Sequence, residues 1–397
     1  MKLLYSGPSH SMKRINSIDF ARGLVMIIMV LDHTRDFMHT TSITQSPTDL
    51  ATTTPMLFFT RWITHLCAPT FVFLSGTSAY VSLRSKNNFS KGRRFLLTRG
   101  IWLIILEFTL VNFGLWFDIH FQNFLFDVIA AIGFGFIILS LLLKASPKTI
   151  GIIGLTIIFC HNLFPLIPFG ENSVIKNISS PLFAPTVYPL TSTTMFIMGY
   201  PPIPWLGVML TGFSAGELFE LPLAKRKNIF LKIGLAALTL FVLIRLMNIY
   251  GDPVPWAKQK NDLYTFLSFI NVTKYPPSLL FCLLTLGVMF LILSLIEGVK
   301  NKFTNIVETY GKVPLFYFLV HWYILHPLMF VMVFLQGFKS SDLVFGFNFG
   351  RPKEGSGVNL WIIYLIWICV VIILFPLCKW YVKYKEYHKE KKWLRYL

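Results

Sequence analysis

The chain has 397 residues, of which 54% are hydrophobic and only 14% are charged. Its mean hydropathy of +0.62 indicates an integral membrane protein and excludes an ordinary soluble enzyme. The formal charge of +18 is no sign of nucleic-acid binding, because Lys and Arg in a multispanning protein mark the cytoplasmic loops. The five cysteines are scattered, with no paired spacing, so we expect neither a disulfide framework nor a metal site.

Ten apolar segments are long enough, at about 20 residues each, to cross roughly 30 Å of hydrocarbon. They lie near residues 17–38, 56–83, 100–118, 124–143, 149–169, 203–221, 229–250, 278–298, 311–335 and 358–380. The first segment lacks a small-residue cleavage site, so we expect it to be a retained span. The sequence therefore predicts an all-α polytopic membrane protein with about ten transmembrane helices, forming a single domain over 1–397.

Lys and Arg are sorted among the connecting segments. They concentrate in the N-terminal segment 1–16, in alternate loops such as "RSKNNFSKGRR" (84–94), and in the basic tail 383–397. The positive-inside rule then predicts that both termini are cytoplasmic. These basic segments most simply bind anionic lipids, and contact with an anionic cofactor is the alternative.

The loops on the opposite side differ in character. The loop 39–55 is rich in threonine and lacks Lys and Arg, whereas 170–202, 251–277 and 336–357 are long and contain many Pro, Asn and aromatic residues. Such loops suit the recognition of a sizeable polar ligand. Tyr-Pro-Pro occurs at both 200–202 and 275–277, which indicates either an internal repeat or only the preference of proline for helix starts.

Seven of the nine histidines fall, in this topology, in the outer half of the bundle or near its middle. They are His33, His39, His65, His120, His161, His321 and His326. A single buried histidine is as often a packing residue as a functional one, but imidazole is also the side chain best suited to moving protons near neutral pH. The convergence of seven predicts a polar chamber in the outer half.

The first segment, "RGLVMIIMVLDHTRDF" (22–37), carries a charged end. Arg22 and His33 are eleven residues apart, about 20° from three full turns, so we expect them to share one helix face roughly 16 Å apart. Asp36 lies three residues after His33 and is within reach of its ring, where it would fix the tautomer. The cluster therefore predicts half of an active site at the outer end of this helix.

Internal ion pairs are the alternative explanation for several of these charges. Asp19 and Arg22 are three residues apart, as are Asp32 and Arg35, a spacing that suits pairing within one helix. Arg61 and His65, four residues apart, are expected on one face of the second segment.

Two further expectations concern the later segments. His321 and His326 are five residues apart, so at most one of them should line the same chamber. The buried charges Glu107, Asp127 and Arg245 are expected to pair with one another, because isolated charges at membrane depth are costly.

Five blocks of the sequence resemble the bacterial branch of the heparan-alpha-glucosaminide N-acetyltransferase catalytic domain family. They are "RINSIDFARGLVMIIMVLDHTRDF" (14–37), "THLCAPTFVFLSGTSAYV" (64–81), "GYPPIPWLGVMLTGFSAG" (199–216), "TKYPPSLLFCLLTLG" (273–287) and "YGKVPLFYFLVHWYILH" (310–326). The first block also resembles the opening helix of membrane acyltransferase family 3, in which an Arg is followed after ten residues by a His. Here those positions are Arg22 and His33.

The resemblance implies an acetyltransferase of the bacterial cytoplasmic (inner) membrane. Such an enzyme would take acetyl, or another acyl group, from cytoplasmic acetyl-CoA, without a metal, and deliver it to an amino sugar or glycan on the outer side. The heparan substrate is not carried over, because the outer loops are not diagnostic of an acceptor. The implied partners are a glycan acceptor and membrane lipids but no nucleic acid, and self-association stays open.

The site residues follow from the resemblance and the spacings together. His33, oriented by Asp36, would be the general base or would accept the acyl group itself, and His65 would relay protons or donate to the oxyanion. Arg22 would bind the CoA phosphates, and Arg61 a carboxylate or pyrophosphate. Substrate-contacting or second-tier residues would be Asp32, His39, His321 and His326.

Two questions stay open at this level. Direct transfer and an acyl-histidine route are indistinguishable, and the base is His33, His39 or His65. The rival function is a proton-coupled transporter, because ten helices with buried ionisable groups are also typical of that class. A non-catalytic scaffold would leave the histidines without a role.

Overall fold

The computed structural model describes residues 15–86, 88–168 and 174–395. Most of these residues are helical. The first eight helices are α1 (Asn16–Met38), α2 (Pro55–Thr64), α3 (Cys67–Lys86), α4 (Phe89–Leu106), α5 (Asn112–Trp116), α6 (Val128–Leu142), α7 (Pro147–Cys160) and α8 (Val174–Phe183). The next seven are α9 (Pro202–Ala215), α10 (Leu223–Met247), α11 (Asp262–Ile270), α12 (Leu279–Ile296), α13 (Lys302–Gly311), α14 (Pro314–Leu335) and α15 (Leu360–Tyr387).

Each of the ten predicted apolar segments contains a helix, which confirms the helical fold class. Seven helical stretches of the described residues are long and apolar enough to cross a membrane: Pro55–Arg84, Phe89–Trp116, Pro147–Leu166, Leu223–Met247, Leu279–Ile296, Pro314–Leu335 and Leu360–Tyr387. The protein is therefore an integral membrane protein. α6 is shorter, and α1 has 23 residues but five charged side chains, so the number of ten spans stays a prediction.

Two of the predicted segments are interrupted. α2 and α3 are separated at His65 and Leu66, where the backbone turns before the helix continues. α4 passes into a π-helical turn, Glu107–Val111, before α5. π-helical turns are frequent at functional sites because they re-aim side chains. The first interruption places His65 in the wall of a cavity described below.

α1 is the central helix of the bundle, in contact with α3, α12, α13, α14 and α15. Its close approach to α13 depends on glycine. A Cβ atom on Gly23 would lie 1.9 Å from the carbonyl oxygen of Val307, and one on Gly311 would lie 1.8 Å from that of Asp19. Because no side chain fits between these backbones, α1 keeps a fixed position against its neighbour.

A small three-stranded sheet, which the sequence did not predict, lies beside α6. It consists of β1 (Asn123–Phe126), β2 (Thr186–Pro189) and β3 (Met195–Met198), in the order β1-β3-β2. β3 runs parallel to β1 and antiparallel to β2. The backbone amides of Gly199 and Tyr200 both donate to the carbonyl of Phe126, so the end of the sheet brings Tyr200 close to Asp127.

The expected pairing of Arg245 with Glu107 or Asp127 is wrong. The Arg245 guanidinium is buried and donates to four backbone carbonyls, those of Val254, Ser268, Phe269 and Asn271. The loop that follows α10 folds over the end of that helix and supplies these acceptors. Glu107 instead accepts a hydrogen bond from the amide of Ala130 at 2.9 Å.

Candidate active site

A row of four adjoining cavities follows α1. At its N-terminal end lies the basic mouth, lined by Arg22, Ser78, Arg99, Lys312 and Lys385 among others. The apolar neck comes next, lined mainly by Met26, Leu103, Ile129, Ile132 and Phe136. The histidine chamber follows, with His33, Asp127, Tyr200, Lys274 and Trp322 in its wall. The polar vestibule, with His65, Asn271 and Thr273, lies at the other end.

Neighbouring cavities share wall residues, so they adjoin one another in a row along α1, which is called the path below. The mouth and the neck share Ser75, Arg99 and Leu315, among others. The neck and the chamber share Phe71, Val128 and Phe318. The chamber and the vestibule share Asp36, Arg61, Lys274 and Tyr275. The chamber has a cavity volume of about 260 Å³, near the lower end of the range of small-molecule sites.

One face of α1 forms a wall of this path from the mouth to the chamber. Arg22 lies in the mouth, Met26 in the neck, and Met29, His33 and Asp36 in the chamber. These residues recur every three or four positions, the period of one helix face. Arg22 and His33 therefore do share a face, as the eleven-residue spacing predicted.

The ring of His33 is held by two consecutive residues of α14. His33 Nδ1 lies 2.7 Å from Nε2 of His321, and the indole of Trp322 stacks on the His33 ring with the centroids 4.2 Å apart. His321 is completely buried behind His33. Nδ1 of His33 is therefore in contact with His321, and Nε2 is the ring nitrogen that is left for a substrate.

The expected contact between Asp36 and the His33 ring is absent from this part of the structure. The Asp36 carboxylate lies 2.7 Å from the guanidinium of Arg35, and its side chain is 42% exposed. Asp36 lies on the boundary of the chamber and the vestibule, where Arg35 pairs with it, while His321 and Trp322 of α14 contact the His33 ring. The orienting group next to the imidazole is His321.

Asp32 joins the first two helices through a buried charge network. Its carboxylate accepts from Arg35 at 2.7 Å, as the spacing predicted, and also from Arg61 of α2. The predicted pair of Asp19 and Arg22 is present as well, at 3.5 Å. The guanidinium of Arg61 is thus engaged by Asp32 at the junction of the chamber and the vestibule.

His65 lies on the vestibule wall together with Arg61, so the structure brings these two predicted residues to one cavity. Its ring packs edge-on against Phe281, with the centroids 5.5 Å apart. His65 Nδ1 is buried without a hydrogen-bond partner in the described part of the chain. Buried polar atoms without a partner are uncommon in folded proteins, so His65 stays a candidate for a functional role.

The other two candidate histidines lie elsewhere. His39 ends α1, contacts Thr41 Oγ1 at 3.1 Å through Nδ1, and its carbonyl accepts from the buried Arg351. Burial and the charges of Arg35 and Arg351 hold the pKa of His39 below its ordinary value. His326 contacts the carbonyl of Gly114 at 3.2 Å and packs among phenylalanines. Of His321 and His326, only His321 contacts His33.

Sequence reasoning missed three residues of the chamber wall, Lys274, Tyr200 and Tyr275. The tyrosines begin the two Tyr-Pro-Pro segments, and their ring centroids lie 5.3 Å apart. The repeated motif was therefore a signal for two segments that meet, although it was interpreted only as a repeat or a helix start. Among residues 15–86, 88–168 and 174–395, no group of three or more His, Cys, Asp or Glu could hold a metal ion.

Comparison with protein families adds to this geometry. The family model described as "Heparan-alpha-glucosaminide N-acetyltransferase, catalytic" matches residues 14–246. The chain belongs to this family. The match contains Arg22, His33, Arg61 and His65, whereas Lys274 and His321 lie beyond it. No curated protein matches the chain. Membership of the family implies a transmembrane transferase of the N-acetyltransferase type.

Proposed function

We propose that this family member moves an acetyl or other acyl group from cytoplasmic acyl-CoA to an amino sugar, or to a glycan hydroxyl or amine, on the outer side of the bacterial cytoplasmic membrane. The observation that carries the proposal is the row of adjoining cavities from the basic mouth to His33. Acyl-CoA and glycan acceptors lie on opposite sides of the membrane, and a path of this kind lets the two meet.

The basic mouth suits the phosphate groups of CoA. Arg22, Arg99, Lys312 and Lys385 supply positive charge around one opening. The positive-inside rule predicts a cytoplasmic N-terminus. Because α1 begins beside the mouth, this opening faces the cytoplasm in the proposal. The apolar neck is then the place for the slender pantetheine arm, which carries the thioester about 16 Å along the helix axis toward His33.

His33 is the proposed catalytic base, or the group that accepts the acyl chain before passing it on. The contact between the two rings allows either one to donate, and the proposal takes the tautomer in which His321 carries its own proton on Nδ1. His321 Nε2 then accepts from His33 Nδ1, and the Nε2 lone pair of His33 is left for the acceptor substrate. His321 thus takes the orienting role that Asp36 was expected to have.

The remaining residues have supporting roles in this proposal. The vestibule admits the sugar, and Asp36, on its boundary with the chamber, contacts the accepting amine or hydroxyl. His65 relays protons from the vestibule wall. Arg61 is held by Asp32 and forms the rim between the two cavities. His39 and His326 lie outside both, and we assign neither a role in the chemistry.

Inside-out membrane vesicles test this function, because their cytoplasmic face is accessible. Vesicles containing the protein are supplied with labelled acetyl-CoA outside and an amino sugar or glycan inside. We expect label on the lumenal acceptor, and we expect His33→Ala to abolish it. His120→Ala, which removes an exposed histidine on a loop, is the matched control and should keep full activity.

Two outcomes would contradict the proposal. Equal activity of His33→Ala would exclude His33 as the catalyst. Uptake of an intact solute driven by a pH gradient, with no requirement for acyl-CoA, would identify a proton-coupled transporter instead.

A further inference from the structure

Lys274 presents an uncommitted positive charge to the histidine chamber. It lines both the chamber and the vestibule. Its ammonium lies 4.9 Å from the ring centroid of Tyr275 and 5.8 Å from that of Tyr200, and it forms no ion pair within the described ranges. A cation over aromatic faces is held in place without being neutralised. Its charge therefore stays available to a ligand.

The neighbouring cations differ in this respect. Arg61, the other cation on the chamber wall, is engaged by Asp32. Arg35, on the vestibule wall, is paired with both Asp32 and Asp36. An anion formed beside His33 would therefore find its counter-charge in Lys274.

The backbone on both sides of Lys274 is fixed by one carboxylate. Asp252 accepts hydrogen bonds from the amide of Thr273 at 2.8 Å, from its hydroxyl at 2.9 Å, and from the hydroxyl of Ser278 at 2.6 Å. Ser278 also caps the start of α12 and donates its own amide to the carbonyl of Thr273. The loop is thus prearranged before any ligand arrives, which is the property that makes electrostatic stabilisation effective in catalysis.

We infer that Lys274 is a catalytic residue that stabilises the oxyanion of the acyl-transfer step. The inference rests on the proposed acyltransferase function and adds a residue to it. Acyl transfer from a thioester places negative charge on the carbonyl oxygen, and a cation at that oxygen lowers the barrier. The structure offers Lys274 for this role in the same chamber as the proposed base.

In this step one bond forms at the thioester carbon and one bond breaks. His33 Nε2 takes the proton of the attacking amine or hydroxyl while its nitrogen or oxygen bonds to the thioester carbon. The carbonyl π electrons move to oxygen, and the ammonium of Lys274 stabilises that charge. When the carbonyl re-forms, the carbon–sulfur bond breaks, and the leaving thiolate takes the proton from His33. The products are the acylated acceptor and CoA with a free thiol, with no further reactant.

Steady-state kinetics of Lys274→Met and Lys274→Arg in the full-length protein test the inference. We expect Lys274→Met to lower kcat about 100-fold or more, with the KM of the acceptor and the affinity for CoA changing less than about threefold. Lys274→Arg keeps the charge and should recover part of the rate. Lys260→Met is the matched control, because Lys260 also lies over a tyrosine ring, at 3.7 Å from Tyr264, but outside the chamber.

Three results would overturn it: an unchanged kcat in Lys274→Met, a defect confined to the KM of the acceptor, or a charge-keeping variant no better than the methionine one. If Lys274→Met does not fold, as judged by size-exclusion chromatography, Lys274→Gln is measured in its place. A wild-type protein without acyl transfer would instead contradict the proposed function itself, so the two failures are distinguishable.

Discussion

His33 Nδ1 and His321 Nε2 lie 2.7 Å apart, joining the first helix of the bundle to α14 across 288 positions of sequence. A hydrogen bond between two imidazole nitrogens holds one proton between them, so each ring fixes the tautomer of the other. The indole of Trp322 stacks on the His33 ring and restricts its rotation. The orientation of the proposed base is therefore set by consecutive residues of a distant helix.

The first prediction concerns this pair. His321→Gln keeps an acceptor oxygen near the position of Nε2, whereas His321→Leu removes it. We expect Leu to lower kcat by at least about tenfold, and Gln to keep more of the rate, with similar thermal unfolding midpoints for the two variants. The quantity measured is kcat for acetyl transfer at a fixed pH. Equal rates in the two variants would show that His321 only fills space.

The second prediction concerns the charges between the chamber and the vestibule. Asp32 binds Arg35 and Arg61 in a largely buried site, so removing one partner leaves another charge unpaired. Asp32→Asn and Arg61→Gln should each destabilise the protein, but together cost less than the sum of the two. A double-mutant cycle on the free energy of unfolding should give a coupling of about 1–3 kcal/mol. Strict additivity would mean that the contact contributes nothing to stability.

Local relationships in this fold could be predicted from the sequence. α1 was expected over 17–38 and spans Asn16–Met38. The pairs Asp19–Arg22 and Asp32–Arg35 were expected as well, because residues three apart on a helix meet whatever the rest of the chain does. Helix period and hydrophobic length depend only on residues that are close in sequence, so a single sequence is enough to predict them.

Contacts between distant segments could not be predicted in this way. Nothing in the spacing of His33 and His321 indicates that their helices pack together. Arg245 was expected to bind an acid, but backbone carbonyls of a loop satisfy a guanidinium equally well, and their positions depend on the fold. β2 and β3 lie within the predicted loop 170–202, whereas β1 occupies the start of the predicted segment 124–143. With four residues each, the strands are too short for a period-two pattern.

The third prediction concerns the close packing of α1 on α13. A methyl group on Gly23 would meet the carbonyl of Val307 at 1.9 Å, and backbone cannot yield as a flexible side chain does. Gly23→Ala should therefore lower the free energy of unfolding by about 1–3 kcal/mol or prevent folding. Leu155→Ala, at a position 46% exposed on α7, is the control. The thermal unfolding midpoint in detergent is measured, and a midpoint equal to that of wild type would contradict the contact.

The fourth prediction concerns the path from the mouth to the chamber. Ser75 lines both the basic mouth and the apolar neck, and it is a small side chain at their junction. Ser75→Trp would fill the neck, whereas Ser75→Ala leaves it open. If the pantetheine arm passes through the neck, the tryptophan variant should lose acetyl transfer at least about tenfold, through weaker binding of the donor. The alanine variant should resemble wild type.

The comparison is made on kcat/KM for acetyl-CoA in inside-out vesicles. A tryptophan variant with normal kcat/KM would mean that the donor reaches His33 by another route, while the roles of His33 and Lys274 would still stand on their own tests.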